Sequence, residues 1–360
     1  MKHIWASPHW PDFRYDRLAV EAPLAAAMEA VGEVNGLMSG LDAGQKNALD
    51  LSHRVQEAIA SFGIEGVQLE PRDVEASVIA SMKHRGAADI TRRSDAVAQL
   101  MLAARDLAAP MTAEILGDWH RLLFFGIEVE DPGQWRRFDI DIVRSAVAGS
   151  DDVLYKAPPP DRVAFEMKQF LDWLNTDRAM SAPVKAAIGH LWFESVHPFS
   201  DGNGRIGRAL IEYTFAGVRA LPFSLSRQIE RDKKGYYAAL QAGRQEGQGG
   251  IDAGPFIVWF LQTLKDAADH ARDEALFLIR RNQFFQTYAQ VLNARQDKVL
   301  RLVFAGGADR VAQGISAKGY RKMSGASAAT VSRDLAVLEN AGIASRSEAG
   351  GRSTRYQIRY

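Results

Sequence analysis

The chain has 360 residues, 47% of them hydrophobic and 24% charged, with a formal net charge of zero, which is the profile of a globular protein with room for about two or three domains. It contains no cysteine, which excludes disulfides, zinc–thiolate centres and cysteine nucleophiles. The longest apolar runs, such as Phe256-Ile-Val-Trp-Phe-Leu261, are far too short for a bilayer span, and the first residues lack a signal-peptide core, so the sequence predicts a cytoplasmic protein without membrane contact.

Apolar residues recur three and four apart over 18–41, 43–62, 95–107 and 112–124, which predicts helices there, the last starting at Thr112 after Pro110. Residues 135–160 break that period. Phe138-Asp-Ile-Asp-Ile-Val143 alternates apolar and polar side chains, Ala148-Gly-Ser-Asp-Asp152 is turn-rich, and Val153-Leu-Tyr155 reads as a return strand, so a β-hairpin is expected. Pro158-Pro-Pro160 ends it, and Asp161 is the expected N-cap of a helix over 162–175. A further helix is expected over 182–196, with Ile188, Leu191, Trp192, Ser195 and Val196 on one face. It stops at His197-Pro198, because a residue before proline is pushed out of helical geometry. A glycine-rich loop leads into a helix over about 205–216. Gln245-Glu-Gly-Gln-Gly-Gly250 reads as a loop, and 256–293 is helical again.

The last 65 residues change character. Helices are expected over 298–304, 316–323 and 327–340, with Ser324-Gly-Ala326 as a turn. Strands at 343–346 and 354–358 flank Ala349-Gly-Gly-Arg352, the order of a winged helix-turn-helix. Residues 296–360 hold 11 Lys and Arg against five Asp and Glu. That excess suits either an anionic partner or a solubilising surface. If the module binds DNA, the helix starting at Ser327-Ala-Ala-Thr330 would present Arg333, and Arg346, Arg352 and Arg355 would face phosphates; a protein-docking role is the alternative.

The richest segment is His197-Pro-Phe-Ser-Asp-Gly-Asn-Gly-Arg-Ile-Gly-Arg208. Gly202 and Gly204 permit backbone shapes closed to other residues and let a phosphate approach the main chain. The helix that follows points its free amides and positive dipole end at the loop, which makes an anion site. Arg205 and Arg208 add forked cations suited to phosphate oxygens. Asp201 supplies a hard oxygen of the kind Mg²⁺ prefers, Asn203 can donate to a phosphate oxygen, and His197 has the pKa of a base near neutrality. Gly202-x-Gly204-x-x-Gly207 also matches a dinucleotide fingerprint, but a helix rather than a strand precedes it, and no P-loop run exists.

This segment resembles the signature of the Fic family, His-Pro-Phe-x-Asp-Gly-Asn-Gly-Arg-x-x-Arg, at all its fixed positions. Trp10-Pro-Asp-Phe-Arg-Tyr-Asp16, Gly133-Gln-Trp-Arg136, Leu191-Trp-Phe193, Ser226-Arg-Gln-Ile-Glu230 and Tyr236-Tyr237 extend the likeness over most of the chain. The resemblance implies a mainly α fold: a Fic-type helical bundle with a β-hairpin flap, plus the C-terminal winged helix-turn-helix. It divides the chain into an N-terminal helical region (1–108), a catalytic core (109–294) with its flap at 135–160, and a winged module (295–360). The implied activity is transfer of AMP from ATP to a Ser, Thr or Tyr hydroxyl of a target protein or of the protein itself. His197 would be the base, Asp201 would hold Mg²⁺, and Ser200, Gly202, Asn203, Gly204, Arg205 and Arg208 would line the ATP site. Tyr236 and Tyr237 either flank the adenine or are core aromatics. An unidentified protein target would dock on the flap by strand addition, with Asp139 and Asp141 departing from the usual flap sequence. A homodimer is a further expectation carried by the likeness alone.

Ser61-Phe-Gly-Ile-Glu65-Gly66 is similar to the inhibitory-helix pattern [Ser/Thr]-x-x-x-Glu-[Gly/Asn] of one Fic class. The resemblance implies that Glu65 pairs with Arg208 in place of the ATP γ-phosphate. The alternative is a helix end closed by Gly66 with Glu65 in solvent. Gly63 inside the motif is expected to weaken the helix. Two other functions stay open at this level: AMP removal with Glu65 orienting water, and a DNA-binding regulator whose Fic part senses nucleotide.

Overall fold

The structure, a computed structural model, describes residues 3–83, 90–143, 153–247, 249–347 and 354–360. It is mainly helical. After the short strand β1 (Phe13–Arg14) come α1 (Arg17–Ser39), α2 (Ala43–Ile64), α3 (Pro71–Lys83), α4 (Arg93–Asp106) and α5 (Ala113–Leu123). Strands β2 (Asp141–Val143) and β3 (Val153–Lys156) precede α6 (Pro160–Thr176), α7 (Ala182–Val196), α8 (Asn203–Ala216), α9 (Leu225–Arg231) and α10 (Lys233–Ala242). Then follow β4 (Gln245–Gly247), β5 (Gly250–Asp252) and α11 (Gly254–Thr287). The chain ends with α12 (Ala294–Ala305), α13 (Gly307–Ala312), α14 (Ala317–Ser324), α15 (Ala328–Asn340), β6 (Ala344–Arg346) and β7 (Tyr356–Ile358). The chain divides into two units, Met1–Ala271 and Arg272–Tyr360.

In the first unit, α7 is the central element. Every residue from Pro183 to Val196 is buried, so its apolar surface goes all round rather than forming the one face expected from its spacing. α8 packs along it, and α4, α5 and α2 pack on α8. Helix ends are closed locally. Asp42 and Gln45 form a capping box at the start of α2, and the Thr112 hydroxyl accepts from Ile115 N at the start of α5. α6 begins one residue earlier than its expected N-cap. Pro159 is the cap and Pro160 the first helical residue, a position that suits proline's fixed φ, which leaves Asp161 in the first turn beside the positive dipole end.

Within 245–250, expected as a loop, residues 245–247 are instead β4 and residue 250 begins β5, and the two strands pair antiparallel. β5 also pairs in parallel with β1, Phe13 opposite Ile251, to make a three-stranded sheet from distant ends of the unit. α3 was not foreseen. The hairpin of β2 and β3 pairs Asp141 with Lys156 and Ile142 with Tyr155, with an irregularity before Val143; its expected turn at 148–152 lies outside the described residues.

The second unit has its own core, built on Val299, Val303, Phe304, Val311, Tyr320, Val331, Leu335 and Ile343. The expected helix over 256–293 stops at Thr287, and α12 starts after Asn293, whose side chain caps it by accepting from Arg295 N and Gln296 N. α14 and α15 pack together, separated by a left-handed Gly325, and β6 pairs antiparallel with β7. Asp334 is its buried polar node, bridging Arg295 at 2.6 Å and accepting from Tyr320 Oη at 3.0 Å. The expected wing turn at 349–352, with Arg352, lies outside the described residues.

Candidate active site

The loop between α7 and α8 is set by two left-handed residues. His197 caps α7 at φ 51°, ψ 60°, and Gly202 caps α8 at φ 79°. The glycine is obligatory there on two counts: its φ is positive, and a Cβ would lie 2.5 Å from Leu123 Cδ2 and 2.8 Å from Phe124 Cε2. His197 tolerates its strained conformation because Arg136 holds it. Arg136 is fully buried; its Nε donates to His197 O at 2.8 Å, and its other nitrogens donate to Val196 O, Phe138 O and Pro158 O. One guanidinium thus ties the active loop to both sides of the β2–β3 hairpin.

The rest of the loop is closed from within. Phe199 N donates to Asn203 Oδ1 and Asn203 Nδ2 donates to Phe199 O, each at 2.9 Å, so the carboxamide expected to face a phosphate is spent inside the protein. The Ser200 hydroxyl donates to Glu130 O at 2.7 Å. His120 stacks on Phe199 with ring centroids 4.2 Å apart, accepts from Gly133 N at Nδ1, and so donates from Nε2 to Asp201 O at 3.2 Å. Burial pushes its pKa down to about 4, which keeps it neutral in that role.

α8 begins without a side-chain cap, and its first main-chain bond is Ile206 N to Gly202 O, which leaves earlier amides pointing into the loop. Asp201 stands at the mouth with 64% of its side chain exposed. Both of its hydrogen bonds, from Gly202 N and Arg205 Nη2, fall on Oδ1. Arg205 is sandwiched between the rings of Phe62 and Phe124, 5.3 and 5.1 Å from their centroids.

His197 keeps 19% of its side chain exposed. Burial pushes its imidazole far below the usual histidine range, and Arg244 adds to the effect, so the ring is neutral at physiological pH. Nδ1 faces the protein, toward Glu194.

Ser61, Glu65 and Gly66 come together with Arg208. Gly66 closes α2 at φ 76°, with Val67 N bonded to Phe62 O and Gly66 N to Gly63 O at 3.0 Å each, the paired bonds of a Schellman end. The end therefore exists as the local alternative required, yet Glu65 is not left in solvent. Arg208, 1% exposed, donates from Nη2 to Glu65 Oε1 at 2.9 Å and to Ser61 O at 2.7 Å, and from Nε to Ser61 Oγ at 3.0 Å. Burial opposes the charge on Arg208, but Glu65 outweighs it and holds the guanidinium above its ordinary pKa. A Cβ on Gly204 would collide with Glu65 Oε1 and lie 3.0 Å from Arg208 Nη1, so this glycine is what lets the carboxylate sit over the helix start. Gly63, expected to weaken α2, lies within the helix; a Cβ there would collide with the Glu230 carboxylate, and Lys233 donates to its carbonyl at 2.5 Å.

Tyr236 is buried and its hydroxyl lies 2.8 Å from His190 Nε2, the position of a core aromatic; Tyr237 remains exposed beside it, ring centroids 5.0 Å apart. Sequence reasoning missed Arg136, His120, Glu194 and Arg244. Only Arg136 left a trace, in the Gly133-Gln-Trp-Arg136 likeness.

Residues 110–215, from just before α5 to the end of α8, match the Fic/DOC family. This part of the chain is a Fic domain. Residues 3–83, which contain Ser61, Glu65 and Gly66, match a second family, the Domain of unknown function (DUF4172). The chain is 28% identical over 157 residues to a probable protein adenylyltransferase of Aquifex aeolicus, covering 43% of this chain and 46% of that one. It is 26% identical over 236 residues to the protein adenylyltransferase Fic of Culex quinquefasciatus, covering 64% and 43%. The chain thus spans less than half the length of each of these relatives. A Fic-domain-containing signalling protein from Bacteroides thetaiotaomicron shares the fold, with a TM-score of 0.55 and 16% identity over 69% of this chain and 95% of that one. No helix among the described residues is long and apolar enough to cross a membrane.

Proposed function

We propose that this protein is a protein adenylyltransferase that moves AMP from ATP to a hydroxyl of a protein target or of itself, restrained by Glu65. The observation that carries the reading is the placing of a neutral His197 at one end of a loop whose other end is the uncapped start of α8, with Arg208 one turn into that helix. The names of the two relatives support it.

ATP would lie with its phosphates over the first amides of α8, the outer ones drawn to Arg208 and the loop glycines giving close approach. His197 Nε2 would take the proton of a Ser, Thr or Tyr hydroxyl as that oxygen bonds to the α-phosphorus and pyrophosphate leaves. Among the described residues no three metal-ligating side chains cluster. The donor set fits Mg²⁺ held by Asp201 together with the nucleotide's own oxygens, a common arrangement for that ion. When bound, the ion would neutralise phosphate charge. Glu65, by occupying Arg208, would keep ATP from the productive pose.

The β2–β3 hairpin would receive an extended target segment by strand addition. The C-terminal unit would act as a winged helix that docks DNA or protein, with Arg333 and Arg346 exposed on it. The deciding experiment is transfer of label from α-labelled ATP to protein in a lysate. Transfer by the wild-type or Glu65→Gly chain that vanishes in His197→Ala supports the reading. Label that persists in His197→Ala, or never arises, defeats it.

A further inference from the structure

α7 carries a buried carboxylate that neither packing nor the reaction as described uses. Glu194 sits in its last turn, three residues before His197, with 7% of its side chain exposed. Oε1 is buried without a hydrogen-bond partner. Nearby, Arg244 is 5% exposed. Its Nε donates to Ser195 Oγ at 3.1 Å and its Cζ lies 4.4 Å from the centroid of the Tyr155 ring, while Nη2 is buried without a partner. Each such orphaned group carries an uncompensated desolvation cost, and an apolar side chain would fill either place without it. Two orphans of opposite charge beside the same histidine call for a reason.

His197 supplies it. Its Nδ1 lies 3.4 Å from the main-chain oxygen of Glu194 and 3.7 Å from the carboxylate Oε2. These separations are longer than a tight hydrogen bond, as is common for catalytic contacts before substrate binds. We propose that Glu194 is the positioning carboxylate of His197: its carbonyl and carboxylate together hold the proton on Nδ1, leave Nε2 bare for the substrate, and balance the charge when Nε2 is protonated. Arg244 sets the ionisation of that carboxylate.

The proposal rests on His197 being the base. The hydroxyl proton passes to Nε2 as the oxygen–phosphorus bond forms and the bond to pyrophosphate breaks. The imidazolium then faces the Glu194 carboxylate through Nδ1–H until its Nε2 proton leaves to solvent. No further reactant is required. The logic is that of the third group that orients a base in hydrolase triads.

The charged groups around Glu194 agree. Burial, and Glu65 to a lesser degree, push its carboxyl up while Arg244 and Arg208 pull it down, with a net rise to about 7; Tyr236 and His197 complete the ring of titratable groups. With the ring already neutral, the working form, a neutral ring beside a carboxylate, fills as Glu194 ionises through about pH 7.

The test uses the full chain carrying Glu65→Gly and follows the rate of AMP transfer against pH at saturating ATP. The parent should gain activity through about pH 7. Glu194→Gln should abolish that rise and lower the plateau about 10-fold or more, with KM for ATP unchanged. Glu194→Asp should restore part of the rise, and Arg244→Gln should move it to higher pH. A loss in Glu194→Gln that scales the rate equally at every pH, with the rise left in place, would mean a structural role and overturn the proposal. The ¹³C carboxyl resonance of Glu194 gives a readout free of activity. A midpoint near 7 that moves up in Arg244→Gln supports the pair, and a midpoint near 4.5 overturns it. If Glu65→Gly transfers no AMP at any pH, the enzyme reading fails, while the resonance still decides whether Glu194 is poised as described.

Discussion

The loop of residues 197–208 and the end of α2 at residues 61–66 meet at Arg208, yet they are held in different ways. The loop is fastened by contacts that involve no substrate group. Arg136 holds His197, Asn203 and Phe199 close on each other, and His120 holds Asp201. The α2 end touches the site through Ser61 and Glu65 at Arg208 and through the Phe62 ring at Arg205, while its main anchorage lies elsewhere. Glu57 accepts from Ser224 Oγ, from Ser226 N and from the Ser226 hydroxyl, and Arg227 donates to Gln56, which fixes α2 on α9. A loop whose own geometry is satisfied without the Glu65 contact keeps that geometry when the contact is removed. On the proposed function, restraint would therefore act by occupying an arginine and not by distorting the loop.

Four substitutions probe that contrast. The largest effect is expected from Arg208→Ala in the Glu65→Gly chain, a loss of about 100-fold in AMP transfer, because the same guanidinium serves the phosphate once Glu65 is gone. A double variant as active as Glu65→Gly would show that Arg208 belongs to the restraint only. Next, Arg136→Ala should lower both activity and thermal stability, since it leaves several main-chain oxygens and the strained His197 without their donor. Full activity in that variant would mean the loop is not held as described. Ser61→Ala should release the restraint only partly, by about fivefold, because Arg208 keeps the Ser61 carbonyl and Glu65. No change in transfer would place the whole restraint in Glu65.

The smallest effect concerns the frame under α2. Asp95 accepts from Ser77 Oγ, Thr91 and Arg92 at the start of α4; burial works against its charge, but these bonds win and lower its pKa to about 2. A lowered carboxyl contributes stability that is present above its unfolded pKa near 3.9 and is lost as pH falls toward 2. Asp95→Asn should cost about 2 kcal/mol at pH 7 and little near pH 2, read by denaturant unfolding. An equal cost at both pH values would contradict the sign.

What the sequence made legible was local. His197, Gly202, Gly204 and Arg208 lie within twelve residues, and their types alone describe a phosphate cradle with a base. The Ser61, Glu65 and Gly66 pattern pointed to Arg208 across 143 residues only through family likeness. What stayed hidden depended on distance. β1 is two residues long and its partner is near residue 251, so no period could reveal it. The hairpin at 245–252 is polar and rich in glycine, which reads as a loop until β1 supplies an edge. Glu194 looked like one more polar residue in a helix, because its burial comes from α8 and Arg244, neither visible in its own turn.

The most direct test is intact-mass analysis of wild-type, Glu65→Gly and Glu65→Gly/His197→Ala chains incubated with ATP and Mg²⁺ and with a lysate. The account predicts an AMP adduct, on the chain or on a lysate protein, at least about 10-fold more abundant with Glu65→Gly than with wild type and absent when His197 is also replaced. Equal adduct in wild type and Glu65→Gly, or none in either, would contradict an arginine shared between Glu65 and the nucleotide.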